Sequence, residues 1–436
     1  MNNKTLKISL VILLSSLSIA CVFFILKFTW ISADAPFYLA IARDLSEGQV
    51  MYKDFINVYT PLMMEINSLL YKVIVHPSYS VFILFQIGVI LSQAVLFFLL
   101  IRNIVKLDLI VSLIVSCAFI LAVLSSDGNY INLEVYSAFF VIAAFFFVLQ
   151  DKYYFISGVL LELSFLCKQY GVLNFIPFAL FVLLHERLTA QRIKKIAYLA
   201  SGGLLVLFAF LFFYVVVQEV PFESLIAQLT GKGYAKMATN KEKRLSSFLL
   251  GGKILFFFLP VLILHFVKHR HLSKVLIFAL TGIVVNLLPM MLQFMQHYFI
   301  NTFPYLFLCI AYILKDSASR TQFVLIACAA LVSGVLLIDR IFRYRGNKAK
   351  QLAEASEVKK YLPPGSRVFI YGPLRHLYFL NNYHNPFAKT IGYNFAFPKG
   401  AGLEPGELVL VDKILPLKGW QFQKIESKTG PIYIYK

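Results

Sequence analysis

The 436-residue sequence has few acidic residues and few cysteines. It holds 22 aspartates and glutamates against 41 lysines and arginines, and charged residues make up only 14% of the chain. The five cysteines all fall within apolar runs and form no CxxC pair; they are Cys21, Cys117, Cys167, Cys309 and Cys328. This pattern indicates neither a disulfide framework nor a metal site.

Several catalytic and targeting signatures are also missing. The sequence has no glycine-rich phosphate loop of the Rossmann or Walker kind, no HExxH and no Gly-x-Ser-x-Gly, which excludes the activities that depend on those motifs. The first apolar run, from Leu6 to Trp30, is too long for a signal-peptide core and lacks a small-residue cleavage site before Asp34. We therefore expect it to be a retained helix.

Apolar residues dominate what remains. They make up 59% of the chain, aromatic residues alone 16%, and the mean hydropathy is +0.75, values that predict an α-helical polytopic membrane protein. Because a span needs roughly 20 apolar residues, we expect about eleven transmembrane helices, near 6–30, 79–101, 108–125, 133–150, 154–167, 170–186, 197–218, 248–267, 273–295, 297–314 and 321–339. The fifth and sixth are short and are separated only by Lys168-Gln169, which predicts an angled pair or one broken helix.

The net charge of +19 predicts orientation and contact with membrane lipids rather than with nucleic acid. With the N-terminus inside, every inner loop is basic, as the positive-inside rule requires. The loops on the other side then carry a set of ionisable residues, namely Asp34, Asp54, Asp127, Glu134, Lys168 and His297. We therefore expect these residues at one face of the membrane.

The last quarter of the chain differs in composition. A basic cluster from Arg340 to Lys350 lies on the side that the positive-inside rule disfavours. Beyond it the pattern predicts a helix at 349–361 and strands at 367–371, 408–411 and 432–435. The sequence thus predicts a transmembrane domain at 1–340 with an outer-face loop at 31–78, followed by a small extramembrane α/β domain at 341–436. This domain is expected outside the cytoplasm, unless the helix count is off by one, in which case it is cytoplasmic.

The first outer loop holds two candidate aspartates. Asp34 stands next to a predicted amphipathic helix from Pro36 to Leu45, which we expect to lie in the membrane interface. Partial desolvation at the membrane surface would suit Asp34 to act as a general base. It is equally suited to cap that helix, with Pro36 in the first turn. Asp54 either orients a substrate or pairs with Lys53.

Three later positions have similar alternatives. Glu134 opens a predicted helix, where the helix dipole alone would stabilise an acid. Lys168 lies between two apolar runs and either reaches the membrane surface or binds an anion such as phosphate. His297 and Tyr298 interrupt an apolar stretch and either contact a phosphate or sugar or form a polar hairpin. A basic loop at 219–247 is expected to be solvated, and it could also cover a bound donor.

Six short motifs follow one another along the chain. They are Asp34-x-x-x-Tyr38, Gly48-x-x-x-Tyr52-x-Asp54, Tyr59-x-Pro61-Leu62, Glu134 at a helix start, Lys168-Gln169-Tyr170-Gly171, and His297-Tyr298-Phe299 followed by Pro304. This pattern resembles the GT-C membrane glycosyltransferases, most of all their bacterial branch of protein-mannosyltransferase-like and lipid-A-sugar-transferase-like enzymes, over roughly the first 340 residues. The chain departs from the lipid-A branch at Thr60-Pro61, where a lysine often precedes the prolines.

The resemblance implies an inverting transfer from a polyprenyl-phosphate-linked sugar donor. It assigns the general base to Asp34 and phosphate contacts to Lys168 and His297, with Tyr298 beside them. The remaining substrate-binding candidates are Tyr38, Asp54, Tyr59, Glu134 and Gln169. We expect no cofactor and no bound metal, although two aspartates leave a divalent cation open.

These observations predict a hexosyl- or pentosyltransferase of a bacterial inner membrane, with its active site facing the periplasm. Its acceptor would be a lipid, a glycan or a protein. A transporter or flippase for a lipid-linked sugar or another anion is the alternative, but transporters usually place ionisable groups near the bilayer midplane within repeats. A non-catalytic assembly subunit is a third possibility.

Overall fold

The structure is a computed structural model that describes residues 3–32, 34–74, 76–185, 189–230, 256–263, 273–292, 296–317, 320–370, 373–384, 408–411, 421–427 and 430–435. Helices dominate it. In chain order they are α1 (Asn3–Phe28), α2 (Ala35–Ser46), α3 (Leu62–Val73), α4 (Tyr79–Leu100), α5 (Leu109–Val123), α6 (Leu133–Val148), α7 (Tyr154–Cys167), α8 (Phe175–His185), α9 (Thr189–Leu211), α10 (Phe222–Leu229), α11 (256–263), α12 (Lys274–Leu292), α13 (Phe303–Ser317), α14 (Arg320–Arg343), α15 (Gly346–Lys359) and α16 (His376–Leu380).

Short turns of tighter or wider helix extend or join several of these helices. They are Ile101–Val105, Leu124–Gly128, Gln169–Asn174, Phe212–Val217, Gln296–Asn301 and Pro373–Arg375. Four strands complete the described chain, namely β1 (Val368–Ile370), β2 (Leu408–Val411), β3 (Phe422–Ser427) and β4 (Gly430–Tyr435).

The chain divides into two compact units. The first comprises Met1–Lys27, Ile83–Phe212 and Lys236–Arg340, and the second comprises Phe28–Phe82, Phe213–Ala235 and Ile341–Lys436. The predicted outer-face loop and the C-terminal segment thus belong to the same unit, which is assembled from three separate stretches of chain.

Within the part of the chain that the structure describes, five helical segments are long and apolar enough to cross a membrane. They are Thr5–Phe28, Tyr79–Val105, Leu109–Gly128, Thr189–Val217 and Thr321–Lys359, and five shorter apolar helices accompany them. A multi-pass membrane protein is therefore confirmed. The count of eleven stays a prediction, because 231–255 and 264–272, which include most of the predicted span 248–267 and much of the basic loop 219–247, lie outside the described residues.

The break predicted between the fifth and sixth spans is confirmed. Helix α7 ends at Cys167, Lys168 is extended with φ −153° and ψ 129°, and a 3₁₀ turn leads into α8. A side chain at Gly171 would place its Cβ 2.5 Å from the backbone of Phe165 and Ser164. Glycine is thus required where the chain folds back over the end of α7.

Helix α2 is present as predicted but lies in a different environment. Every residue from Ala35 to Leu45 is buried, whereas an interfacial amphipathic helix would leave one face exposed. Within the second unit it packs against α3 and α16. The expectation of a surface helix is therefore wrong, because elements distant in sequence cover its polar face.

The C-terminal strands form one four-stranded sheet in the order β1-β2-β4-β3. Strand β1 pairs with β2 in parallel, and β4 pairs antiparallel with both β2 and β3. The apolar side chains of Val368, Val409 and Ile434 are buried. The predicted strands are found, and β3 is an additional strand that the sequence pattern did not indicate.

Candidate functional site

The predicted site residues fall into two groups that follow the two units. Glu134, Lys168, Gln169, His297 and Tyr298 belong to the first unit, and Asp34, Tyr38, Asp54 and Tyr59 belong to the second.

Lys168 and Glu134 form a buried ion pair in the first unit. The Nζ atom of Lys168 lies 3.0 Å from Oε1 of Glu134, and their side chains are 2% and 1% exposed. The break after α7 places the lysine, and the first turn of α6 places the acid. Neither side chain reaches the surface, so the expectation that Lys168 extends to the membrane surface does not hold within this unit.

His297 and Tyr298 meet this pair from the 3₁₀ turn Gln296–Asn301. Nε2 of His297 lies 3.9 Å from Oε1 of Glu134, and the ring of Tyr298 lies 5.1 Å from Nζ of Lys168. The ring of Tyr170 flanks the same ammonium at 5.9 Å, and such cation–π contacts stabilise a lysine away from water. Four of the five predicted residues of this unit are therefore brought together.

Gln169 is placed differently from its neighbours. It follows Lys168 in the 3₁₀ turn and is half-buried. Its assignment to substrate binding stays a prediction.

A second ion pair, which sequence analysis missed, continues the cluster. Arg340 at the end of α14 donates through Nη1 to Oδ1 of Asp127 at 2.6 Å and through Nη2 to Oδ1 of Asn129 at 2.6 Å. Asp127 also faces His297, whose Nδ1 lies 3.9 Å from its Oδ2. The signal for Arg340 was its position on the side that the positive-inside rule disfavours.

The segment that carries Asp127 is held by a buried glutamine. Nε2 of Gln86 donates to the carbonyl of Gly128 at 2.8 Å and to that of Tyr130, and Oε1 accepts from the amide of Asn132 at 2.9 Å. Asp127 itself has φ 69°, a left-handed conformation that aspartate adopts more easily than most residues. The turn is thereby fixed ahead of Glu134.

In the second unit, Asp34 occupies the cap position before α2. Its carbonyl accepts from the amides of Phe37 and Tyr38 at 3.1 and 3.2 Å, but its side chain makes no capping hydrogen bond. The capping interpretation of the carboxylate is therefore wrong, and a different side chain serves the first turn, because the hydroxyl of Ser32 accepts from the amide of Ala35 at 3.4 Å. The carboxylate is half-buried.

Tyr38, which follows Asp34 by four positions in the chain, packs against Tyr59. Their ring centroids lie 5.4 Å apart in an edge-to-face arrangement, and the ring of Phe37 contacts Tyr59 at 5.6 Å. The hydroxyl of Tyr52 donates to the carbonyl of Tyr59 at 2.6 Å. Burial, with the carboxylate of Glu65 nearby, raises the pKa of Tyr52, which keeps this donor protonated.

Asp54 closes the turn that precedes this aromatic cluster. Its Oδ2 accepts from the amide of Val50 at 2.7 Å. Lys53 points elsewhere, because its Nζ lies 3.3 Å from Oε2 of Glu219. The predicted pairing of Asp54 with Lys53 is therefore replaced by a bond from side chain to backbone.

One group in the second unit has the composition of a metal site. Asp44, Glu47 and His384 bring their ligand atoms within 4.8 Å of one another. However, Nη2 of Arg43 lies 2.9 Å from Oδ1 of Asp44 and 3.3 Å from Nδ1 of His384. The guanidinium neutralises the acid and opposes a second cation. Arg43 also donates to two backbone carbonyls of the C-terminal segment, so we assign this group to structure.

The chain is similar to known proteins in its structure, whereas sequence comparisons give no match. No protein-family profile matches the sequence, and no curated protein matches it. The crystal structure of ArnT from Cupriavidus metallidurans bound to undecaprenyl phosphate superposes with a TM-score of 0.62 at 12% identity, over 98% of this chain and 97% of ArnT. Its apo structure gives a TM-score of 0.53 at the same identity and coverage.

The structural similarity extends over almost the whole of both chains. Because the sequence identity is only 12%, this similarity shows a shared fold and nothing more. ArnT is a polytopic GT-C glycosyltransferase. The resemblance that the sequence motifs indicated is therefore confirmed for the architecture, and the chain shares the fold of ArnT.

Proposed function

We propose that this protein is an inverting glycosyltransferase that moves a sugar from a polyprenyl-phosphate donor to a lipid, glycan or protein acceptor at the outer face of a bacterial inner membrane. The GT-C fold supports the class of reaction, and the ArnT structure that contains undecaprenyl phosphate supports the kind of donor. The basic inner loops of the sequence support the orientation.

The observation that carries the proposal is the buried pair of Lys168 and Glu134. Two ions that are 2% and 1% exposed lose most of their hydration, and a pair of apolar side chains would often be as stable or more stable there. Ionisable groups inside a membrane domain are expensive and mark functional sites by default. The presence of this ion pair is therefore better explained by a role in binding a ligand than by a contribution to the stability of the fold.

The chemistry of that ligand follows from the surrounding charges. Lys168 and Arg340 supply two cations, and Glu134 and Asp127 supply two carboxylates. His297 places its ring nitrogens 3.9 Å from both carboxylates. The leaving group of a polyprenyl-phosphate sugar is a phosphate, which needs cations and hydrogen-bond donors rather than an acid catalyst. We assign Lys168, His297 and the hydroxyl of Tyr298 to that phosphate.

On the acceptor side we assign the general base to Asp34. Its carboxylate would remove the proton from the acceptor hydroxyl as that oxygen attacks the anomeric carbon, while the bond to the donor phosphate breaks on the opposite side. The carboxylate is half-buried, a partly dry position of the kind that suits a general base. Tyr38 and Tyr59 are 2% and 7% exposed and pack edge to face, so we assign them to holding the chain beside the acceptor rather than to stacking on its sugar.

The class of activity is tested by transfer against transport. Purified protein is supplied with radiolabelled polyprenyl-phosphate sugars and a membrane extract as acceptor, and a parallel sample in liposomes is assayed for movement of the donor between leaflets. Label in the acceptor fraction supports the transferase. Movement of the donor without transfer would instead establish the flippase alternative.

A further inference from the structure

A cavity lies where α7 and α9 begin, apart from the charged cluster. It has a volume of about 600 Å³ and is lined by three lysines, three tyrosines, a phenylalanine, a glutamine and one aspartate. Both helices belong to the first unit. The lining is basic and aromatic, in contrast to the apolar surfaces of the helices that carry it.

Glycines bring the two helices together beside this cavity. A Cβ on Gly158 would lie 1.9 Å from the carbonyl oxygen of Leu199, and a Cβ on Gly202 would lie 2.0 Å from that of Phe155. Small residues at such crossings are typical of transmembrane helix pairs. The close approach of the backbones holds both helix starts, and therefore the lining residues, in fixed positions.

The charges of the cavity do not cancel. Nζ of Lys195 lies 2.5 Å from Oδ1 of Asp151, which also accepts from the hydroxyl of Tyr154. Among the residues that the structure describes, Lys152 and Lys194 have no carboxylate within ion-pair distance. Three lysines against one aspartate leave two positive charges.

The position of these lysines suits an anion. Lys152 lies two residues before the start of α7, and Lys194 lies in the second turn of α9. The amino end of a helix carries partial positive charge, which repels cations and attracts anions. Tyr153 in the cap position of α7 adds no side-chain capping bond. The two helix starts and the lysines therefore favour the same kind of ligand.

Exposed aromatic and apolar side chains border the same lysines. Tyr153 and Tyr198 are 63% and 48% exposed, and Ile193 is 63% exposed. Nζ of Lys194 lies 5.8 Å from the ring centroid of Tyr198. Tyrosine and lysine side by side at the end of apolar helices are typical of the boundary between headgroups and acyl chains. The surroundings therefore suit a ligand with an anionic head and apolar chains.

We propose that this cavity binds the phosphate headgroup of an anionic phospholipid, with Lys152 and Lys194 as the principal contacts. The acyl chains would lie along the exposed apolar surface that continues from Ile193. The basic loops that hold the cavity are those expected on the cytoplasmic side, where anionic lipids attract juxtamembrane lysines. The proposal does not depend on the glycosyltransferase activity.

The test measures lipid binding by the purified full-length protein in a neutral detergent. Phosphatidylglycerol, phosphatidylcholine and inorganic phosphate are titrated separately, and binding is followed by native mass spectrometry and by the midpoint of thermal unfolding. The variant is Lys152→Gln/Lys194→Gln. Its matched control is Lys106→Gln/Lys315→Gln, which removes the same charge from other loops expected on the same side.

Phosphatidylglycerol should bind the unaltered protein and the control alike. The cavity variant should bind it roughly 30-fold more weakly, since each lysine near a membrane surface contributes roughly fivefold to anionic-lipid binding. Phosphatidylcholine should bind weakly to all three proteins. Binding of inorganic phosphate as tightly as phosphatidylglycerol, with the same dependence on the two lysines, would overturn the lipid and identify a soluble phosphate ligand.

A second variant is expected to act in the opposite direction. Asp151→Asn releases Lys195 from its carboxylate partner, so phosphatidylglycerol should bind roughly fivefold more tightly. A destabilised protein cannot imitate this gain. Unchanged binding in the double-lysine variant, or weaker binding in Asp151→Asn, would overturn the proposal.

Discussion

Removing one member of the buried pair should damage the fold far more than removing both. At the observed separation of 3.0 Å and an effective dielectric constant of about 20, the attraction between Lys168 and Glu134 is about 5.5 kcal/mol. Desolvation of each ion costs several kcal/mol. The attraction within the pair therefore roughly offsets the cost of desolvating its two ions. A single buried ion keeps its desolvation cost with no attraction to offset it.

The perturbation is a set of three variants. Lys168→Met leaves the Glu134 carboxylate buried with only His297 nearby, so the free energy of unfolding should fall by about 3–5 kcal/mol. In Glu134→Leu/Lys168→Met both ions of the pair are removed, and the free energy of unfolding should return close to that of the unaltered protein. Lys7→Met removes a partner from the more exposed pair with Asp108 and should cost no more than about 1 kcal/mol.

Two assays separate structure from function in this series. Unfolding is followed by intrinsic fluorescence in detergent, and donor binding is followed with a radiolabelled polyprenyl phosphate. The double variant should be folded and yet bind the donor at least tenfold more weakly, because its ammonium is gone. A double variant that binds the donor like the unaltered protein would refute the assignment of Lys168 to the phosphate, and a stable Lys168→Met would refute the energetic argument.

Three further predictions concern the supports of the cluster, each measured as the midpoint of thermal unfolding. Gln86→Leu leaves two carbonyls and an amide without their buried partner and should cost more than about 2 kcal/mol, whereas Gln150→Leu at an exposed position should change stability by less than about 0.5 kcal/mol. Gly171→Ala should cost about 1–3 kcal/mol by steric overlap with the backbone of α7, while Gly346→Ala, with no atom within 4 Å of the added Cβ, should be neutral. Arg340→Lys keeps the charge but loses the two-pronged contact, and should cost about 1–3 kcal/mol. Equal effects of a variant and its control, or a stable Arg340→Lys, would contradict these assignments.

Local features were predictable from the sequence where one short stretch determines them. The apolar runs predicted α1, α4, α5 and α14 within a few residues, and the polar break at Lys168 predicted the interruption after α7. The convergence of Glu134, Lys168 and His297 was also predictable, because the basic inner loops place all three at one face.

Features that depend on distant partners were not predictable. Arg340 pairs with Asp127, although the two residues are more than 200 positions apart in the sequence. Taken singly, Arg340 resembles a cation in a basic loop and Asp127 resembles an acid in a turn. The burial of α2 depends on α16, which lies at the other end of the chain. Strand β3 was missed because its sequence, FQKIES, mixes charged and apolar residues, and its pairing with β4 stabilises it.

Transfer by the Asp34→Asn variant tests the central claim most directly. Asparagine keeps the size of the side chain but cannot accept the proton, so a donor titration and a transfer assay on the two purified proteins separate binding from catalysis. The account predicts a donor affinity within about twofold of the unaltered protein and a transfer rate lower by roughly 10²–10⁴-fold. Transfer at an unaltered rate would contradict it and would show that Asp34 is not the base.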